Sequence, residues 1–146
     1  MDRIICVVGP TASGKTELAL RLAEALSGEI VSCDSMQVYR RMDIGTAKPT
    51  SDELARARHH MIDVCEPDED FSAGKYVPMA DACVQDILSR GKTAVVVGGT
   101  GLYADSLIAG RTFAPVPQTG AREALQARLA REGGEVLLRE LSQVDP

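Results

Sequence analysis

The sequence predicts an α/β fold in which helices flank a parallel β-sheet. Three apolar runs have the length and continuous hydrophobicity of buried strands, and glycine turns close two of them. Segments with apolar residues at helical spacing lie between these runs. Strands that alternate with helices along a chain favour a parallel sheet with helices on its faces.

The first half of the chain is predicted, in order, as strand, helix, strand, long loop, helix and strand. The predicted ranges are 3–8, 15–26, 29–32, 33–49, 51–58 and 61–64. Leu18, Leu22 and Leu26 recur at helical spacing in the first helix, and Ser27-Gly28 ends it. The loop after the second strand has no clear period, and long ordered loops tend to carry function.

The second half is predicted as helix, strand and helix, followed by a linker and two further helices. The predicted ranges are 72–90, 93–97, a helix that opens at Gly98-Gly99-Thr100-Gly101 and runs through Leu107, 121–131 and 135–142; Pro115, Pro117 and Gly120 mark the linker. Because Pro78 removes a helical hydrogen bond, the sequence leaves open whether the first of these helices begins near Tyr76 or kinks there. We therefore predict a core domain at residues 1–110 and the start of a helical insertion at residues 111–146. A sheet of roughly four strands is thin for this class, so we expect a truncated chain.

Composition and charge narrow the class of protein. Hydrophobic residues make up 45% of the chain and charged residues 25%, as in soluble globular proteins. The net charge of -5 argues against nonspecific binding of nucleic acid through many phosphate contacts, although it allows local basic patches. The four cysteines form no C-x-x-C pair, which favours reduced thiols over a zinc or redox site. With no secretory signal or membrane span predicted, we expect a cytoplasmic protein.

The segment between the first strand and the first helix matches the P-loop pattern G-x-x-x-x-G-K-[ST]. It comprises Gly9, Pro10, Thr11, Ala12, Ser13, Gly14, Lys15 and Thr16. Between a strand and a helix, such a loop cradles a diphosphate or triphosphate with backbone N–H groups and the positive end of the helix dipole. Lys15 adds a positive charge, and the hydroxyl of Thr16 is the expected Mg²⁺ ligand. A plain glycine turn with a surface lysine is the disfavoured alternative.

Two other polar segments are expected at the same edge of the sheet as the P-loop. Cys33-Asp34-Ser35 follows the second strand, and Gly98-Gly99-Thr100 follows the strand at residues 93–97. In an open parallel sheet, ligands bind beyond the carboxyl ends of the strands. Asp34 is therefore a candidate to accept a proton from a nucleophile or to hold Mg²⁺ through water, with a turn cap as the alternative.

Two groups of basic residues carry weaker signals. We interpret His59 and His60 as a solvated helix cap rather than as metal ligands. Arg40, Arg41 and Lys48 flank the long loop and have the charge to bind polynucleotide phosphates, although such clusters are usually solvated.

Five motifs together resemble the tRNA dimethylallyltransferase (tRNA isopentenyltransferase) family. They are GPTASGKT at Gly9, DSMQVYR at Asp34, DIGTAKP at Asp43, HHMIDV at His59 and VVGGTGLY at Val96. Their order and spacing match too, and the resemblance covers essentially the whole chain. It accounts for a strand that ends in glycines, whereas many nucleotide-hydrolysing P-loop proteins place an acidic residue there. The P-loop would hold a leaving group.

The resemblance implies a P-loop NTPase-like core and a Mg²⁺-dependent prenyltransferase. Its reaction moves a dimethylallyl group from dimethylallyl diphosphate to N6 of the adenosine next to the anticodon of tRNAs and releases pyrophosphate. The implied catalytic residues are Asp34, Lys15 and Thr100, with Asp34 as the proton acceptor. The implied tRNA contacts are Asp34, Ser35, Met36, Gln37, Thr100 and Arg122, and Ser35 to Gln37 would line the site of a flipped-out adenine. The implied partners are dimethylallyl diphosphate and the anticodon stem-loop, with no membrane and a monomeric full-length protein.

Two other functions remain open from the sequence. A small-molecule kinase would share the P-loop and an Asp after the second strand, but only Arg111 and Arg122 could be remnants of its arginine-bearing lid. An adenylate isopentenyltransferase would accept a free nucleotide, whereas the linker and helices after Gly110 favour tRNA. Because the family continues well beyond Pro146, we expect weak or no activity of this chain alone.

Overall fold

The computed structural model describes residues 4–113 and 119–145. The chain divides into two compact units, residues 1–114 and 115–146, and each is described by itself. Pro115 and Pro117 of the predicted linker and Arg3 of the first predicted strand lie outside the described residues. The predicted domain boundary after Gly110 stays a prediction.

The first unit is built on a parallel sheet of four strands. Its elements are β1 (Ile4–Val8), α1 (Lys15–Ala25), β2 (Glu29–Ser32), α2 (Ser51–Arg56), β3 (His59–His60), α3 (Ala73–Ser89), β4 (Ala94–Gly98) and α4 (Gly101–Ile108). The strand order is β1-β4-β2-β3, and every pair of neighbours is parallel. The predicted α/β fold class is therefore confirmed.

Two apolar clusters cover the two faces of this sheet. Successive strand residues point to opposite faces, so Val95 packs with α1 while Val96 packs with α3 and α4. Burying a side chain of this size stabilises the fold by about 1.5–3 kcal/mol. In the cluster that contains Val96, Tyr76 of α3 stacks on Tyr103 of α4 with ring centroids 4.3 Å apart. The Tyr76 hydroxyl donates to the carbonyl of Ser32 at 3.0 Å, which ties α3 to the end of β2.

A glycine lets the end of β4 approach the chain beyond β2. A Cβ atom on Gly98 would lie 2.0 Å from the carbonyl oxygen of Cys33, so any larger residue would collide with backbone. The N–H of Cys33 donates to the Val97 carbonyl at 2.7 Å. The two segments that carry polar residues beyond the sheet therefore lie side by side.

The third strand corrects two predictions. Residues 61–64 do not form a strand, because Met61 and Asp63 have left-handed φ angles of 64° and 55° that turn the chain. The strand lies at His59–His60 instead and pairs with Ile30 and Val31 of β2. The interpretation of the histidines as a solvated cap is also wrong, since both are half-buried in the sheet.

Helix α3 begins at Ala73 and continues through Pro78 to Ser89. It therefore starts earlier than the proline alone suggested. Pro78 lacks the N–H that would bond to the carbonyl of Gly74, and one missing bond is tolerated because six residues of the helix are buried.

The second unit contains α5 (Ala121–Glu132) and α6 (Gly134–Val144), and both predicted helices are confirmed. Gly133 joins them with a left-handed φ of 80°. Arg128 connects the helices, because its Nη2 atom lies 2.9 Å from Glu132 and 2.7 Å from Glu140.

Candidate active site

A cleft of about 390 Å³ opens beyond the carboxyl ends of the strands. One side is formed by the P-loop and the first turn of α1, from Thr11 to Glu17. Asp34, Gln37 and the Gly98-Gly99 turn also line it. The structure thus brings the P-loop and Asp34 together in one cavity, as the position of their strands predicts.

The P-loop curls because two of its residues adopt left-handed backbone conformations. Ala12 has a φ of 64° and Gly14, the N-cap of α1, has a φ of 81°. The Lys15 ammonium group donates a hydrogen bond to the carbonyl of Pro10 and lies 3.5 Å from the Ser13 hydroxyl oxygen. Its charge therefore lies over the loop, beside the positive end of α1, where an anion is favoured.

The carboxylate of Asp34 caps the turn that follows β2. Its Oδ1 atom accepts hydrogen bonds from the N–H of Met36 at 2.8 Å and of Gln37 at 3.3 Å. The capping alternative is therefore realised, and the same half-buried side chain also lines the cleft. Both described bonds use Oδ1, so within residues 4–113 the Oδ2 atom has no hydrogen-bond partner. The roles of proton acceptor and metal ligand stay predictions.

Thr100 joins the start of α4 to the segment that carries Asp34. Its Oγ1 atom accepts the N–H of Ser35 at 3.0 Å and donates to the Ser35 hydroxyl at 3.3 Å. The N–H of Thr100 also donates to the Cys33 carbonyl at 3.2 Å. Ser35, Met36 and Thr100 do not line the cleft themselves. The catalytic role of Thr100 and the tRNA contacts of these residues stay predictions.

Gln37 connects the end of β2 to the opposite wall of the cleft. Its Oε1 atom accepts from the Ser32 hydroxyl at 2.8 Å, and its Nε2 atom donates to the Ala47 carbonyl at 2.8 Å. Ala47 and Pro49 line the cleft on that side. The sequence pattern does not predict this wall, although the DIGTAKP motif contains both residues.

α2 and β3 complete the same wall with Glu53 and His59, which the sequence reasoning also missed. Burial lowers the pKa of His59 below its ordinary value and so favours the neutral imidazole. Its Nδ1 atom lies 2.8 Å from the Ala57 carbonyl. Arg56 connects α2 to α1 through Glu17 at 2.7 Å and Glu24 at 2.6 Å.

The basic residues of the long loop are bound to carboxylates of the protein itself. Arg40 and Arg41 share Glu66 at 2.9 and 2.6 Å. Lys48 is buried and pairs with Asp43 and Asp63, so it is neither a solvated charge nor a phosphate ligand.

The remaining predicted residue, Arg122, is exposed on α5 of the second unit. Within the described ranges, no three side chains of His, Cys, Asp or Glu gather as a metal site. In the same part of the chain, no helix combines the length and apolar character that crossing a membrane requires.

Comparison with known proteins identifies related sequences. The family model described as IPP transferase matches residues 37–146. The chain is 50% identical over 144 residues to the tRNA dimethylallyltransferase of Anaeromyxobacter dehalogenans, covering 99% of this chain and 48% of the relative. It is 53% identical to tRNA dimethylallyltransferase 1 of Citrifermentans bemidjiense, with coverages of 99% and 46%. The chain thus spans about half the length of these curated relatives.

Solved structures share the fold. The full-length tRNA isopentenylpyrophosphate transferase of Bacillus halodurans superimposes with a TM-score of 0.75 at 40% identity, covering all of this chain and 48% of that one. A eukaryotic dimethylallyltransferase captured acting on tRNA gives a TM-score of 0.78 at 27% identity, covering all of this chain and 36% of that one.

Proposed function

Since the chain belongs to the IPP transferase family, we propose that the whole protein is a tRNA dimethylallyltransferase. It transfers a dimethylallyl group from dimethylallyl diphosphate to N6 of the adenosine next to the anticodon and releases pyrophosphate. The residues of this chain provide the diphosphate site and the proton acceptor of that reaction. The protein acts in the cytoplasm as a monomer.

One observation carries this proposal. Asp34 and the P-loop line the same cleft, while β4 ends there in Gly98-Gly99 rather than in an acidic residue. A carboxylate beside an anion-binding loop suits a reaction in which one substrate loses a proton and the other loses a diphosphate. The glycines keep this edge free of the acidic strand end that is typical of nucleotide-hydrolysing P-loop proteins.

The chemical step follows from these positions. The N6 amine of the adenine attacks the carbon next to the diphosphate, a carbon–nitrogen bond forms, and the carbon–oxygen bond to the diphosphate breaks with its electron pair. The proton lost by the amine passes to the Asp34 carboxylate. Negative charge grows on the departing pyrophosphate, and Lys15, the amides of the loop and the N-terminus of α1 stabilise it more strongly in the transition state than in the ground state.

The donor set of the cleft fits Mg²⁺. The Thr16 hydroxyl and the Asp34 carboxylate line one cavity, and Mg²⁺ prefers oxygen ligands from one or two side chains together with phosphate oxygens and water. Thr16 would hold the ion. When bound, Mg²⁺ neutralises charge on the diphosphate.

The tRNA side of the site lies around Asp34. Ser35, Met36 and Gln37 follow it directly, and Gln37 reaches the cleft itself. An adenine inside a tRNA loop must leave its stack to reach Asp34, so these residues receive a flipped-out base. Thr100 holds Ser35 in place, and Arg122 of the second unit contacts the tRNA.

A transfer assay with the full reading frame that encodes this chain tests the proposal. Labelled dimethylallyl diphosphate and Mg²⁺ are offered with unmodified tRNA or with AMP, and labelled ATP is offered in parallel with small-molecule acceptors. We expect label on tRNA in the wild type and a loss of at least about 100-fold in Asp34→Ala, in line with the worth of a general base. Asp81→Asn, an exposed change on α3, is the matched control and retains activity.

The acceptors separate the alternatives. Label on AMP alone would assign the protein to the enzymes that prenylate free nucleotides. Phosphoryl transfer from ATP without prenylation would overturn the proposal in favour of a kinase.

A further inference from the structure

The DIGTAKP loop, which lines the active-site cleft at Ala47 and Pro49, presents an isoleucine to solvent. The side chain of Ile44 is 98% exposed. A single exposed apolar residue is common and carries no function by itself. Ile44 differs from such residues because hydrogen bonds and ion pairs connect its loop to the rest of the protein at the tip and at the base.

Hydrogen bonds stabilise the tip of this loop, residues 42–46. The Thr46 hydroxyl donates to the Met42 carbonyl at 2.6 Å, and Gly45 allows the turn with a left-handed φ of 78°. Behind the tip, Gln37 donates to the carbonyls of Thr46 and Ala47 at 3.4 and 2.8 Å. The tip is therefore tied to the end of β2.

A buried lysine anchors the base of the loop. Lys48, whose side chain is 7% exposed, donates to the Tyr39 carbonyl at 2.7 Å and to the carboxylates of Asp43 at 2.7 Å and Asp63 at 2.6 Å. Burying an ammonium group is costly unless it is fully paired. Here the three contacts join the base of the loop to the segment before it, to the start of the loop itself and to the turn after β3. Such bracing fixes Ile44 in space before any ligand arrives, which lowers the entropy lost on binding.

The loop forms part of the rim of the cleft. Ala47 and Pro49 continue it into the cleft wall, and Gln37 lies in the same cleft as Asp34. Met36, which is 44% exposed, adds a second apolar side chain next to Asp34 in sequence. Ile44 and Met36 are thus exposed apolar side chains on two segments that also line the cleft, through Ala47 and Pro49 and through Asp34 and Gln37.

The surroundings of Ile44 favour contact with bases of an RNA over contact with its phosphates. Lys48 is paired with Asp43 and Asp63, and Arg40 and Arg41 share Glu66, so these six side chains together carry no net positive charge. A flipped-out base leaves its neighbours in the RNA loop partly unstacked, and apolar side chains are suited to contact such faces. We propose that Ile44 contacts the bases that flank the flipped adenine in the anticodon loop, a role that rests on the proposed function.

Steady-state kinetics of the full-length protein test this role. Wild type is compared with Ile44→Ser, with Ile44→Leu, which keeps the apolar contact, and with Ile108→Ser at the exposed end of α4. In Ile44→Ser we expect the KM for tRNA to rise roughly tenfold, given what a base contact contributes. We expect kcat, the Kd for dimethylallyl diphosphate and the melting temperature to stay unchanged. Ile44→Leu and Ile108→Ser should both match the wild type.

Two results would overturn the inference while leaving the proposed function intact. An unchanged KM for tRNA in Ile44→Ser would show that the tip does not contact RNA. A lower melting temperature together with weaker binding of both substrates would show that Ile44 packs against another segment of the full-length protein. No transfer to tRNA by the wild type would overturn the proposed function and the inference together.

Discussion

The strand β2 carries a carboxylate near each end, and the two have opposite surroundings. Glu29 opens the strand and is 2% exposed, with Lys92 at 2.7 Å, His60 at 2.8 Å and Arg90 bound to both of its oxygens. Asp34 lies just beyond the other end, is partly exposed, and bonds through one oxygen to two backbone N–H groups. Both oxygens of Glu29 are therefore hydrogen-bonded, whereas within the described residues Asp34 has one oxygen without a hydrogen-bond partner.

This difference supports the proposal that Glu29 has a structural role and Asp34 a chemical one. The Arg90 guanidinium, with Lys92 and His60, holds the pKa of Glu29 well below its usual range. Both oxygens of Glu29 accept hydrogen bonds that join β2 to β3 and to the end of α3, so none is left to bind a substrate. Within the described residues, Asp34 keeps one oxygen without a hydrogen-bond partner at the edge where the cleft opens, as its proposed role as proton acceptor requires.

The largest effect is expected for a change that removes the charge of Asp34 but keeps the hydrogen bonds by which it caps the turn. Asparagine retains a carbonyl oxygen in the position of Oδ1, so Asp34→Asn preserves the bonds to Met36 and Gln37. We expect kcat for tRNA prenylation to fall about 1,000-fold, because a proton acceptor contributes 10²–10⁴-fold. The free energy of unfolding should change by less than about 0.5 kcal/mol. Kinetics and urea denaturation measure the two quantities, and full activity in this variant would remove Asp34 from the proton transfer.

The reverse pattern is expected for Glu29→Gln. The change leaves Arg90 and Lys92 facing a neutral group, and breaking a buried ion pair costs about 3–5 kcal/mol. Both cations are partly exposed, so we expect the free energy of unfolding to fall by about 2 kcal/mol, less than that range. Activity per folded molecule should not change. A selective loss of kcat with unchanged stability would contradict the division of roles along β2.

The pH dependence of stability sharpens the same comparison. Because the pKa of Glu29 is depressed on folding, its contribution is fully present above the ordinary glutamate pKa and is lost as the pH falls toward the folded-state value. We expect the stability gap between wild type and Glu29→Gln to shrink by about 1 kcal/mol between pH 6.5 and pH 3.5. Urea denaturation at both pH values measures this gap. A gap that stays constant would mean that Glu29 does not carry the acid sensitivity.

The chemical end of β2 was easier to predict from the sequence than the structural end. The P-loop is a local motif, and Asp34 follows a strand whose carboxyl end must face it in a parallel sheet. The partners of Glu29 are His60, Arg90 and Lys92, which are distant from it in sequence. The HHMIDV motif contains His60 but does not indicate that its partner is Glu29. Such ion pairs depend on the pairing of strands, which periodicity does not specify.

The error at β3 has the same origin. A strand of two histidines has no apolar pattern, and it exists because β2 offers backbone partners and Glu29 accepts a bond from His60. The burial of Lys48 was missed for a related reason, since Asp63 approaches it from beyond β3. Charges that are neutralised within the fold look like surface charges in a sequence.

The smallest effect is expected at Thr100, which holds the Asp34 end of β2 with hydrogen bonds instead of ion pairs. Thr100→Val removes the bonds to the N–H and the hydroxyl of Ser35. Because these bonds are only partly buried, we expect the free energy of unfolding to fall by about 1 kcal/mol. Asp34 lies next to Ser35, so a small displacement should also lower kcat for tRNA about five- to tenfold without changing the Kd for dimethylallyl diphosphate. Thr100→Ser keeps the hydroxyl and should restore both quantities; if it instead matches Thr100→Val, the methyl group and its packing, rather than the hydrogen bonds, hold this end of the strand.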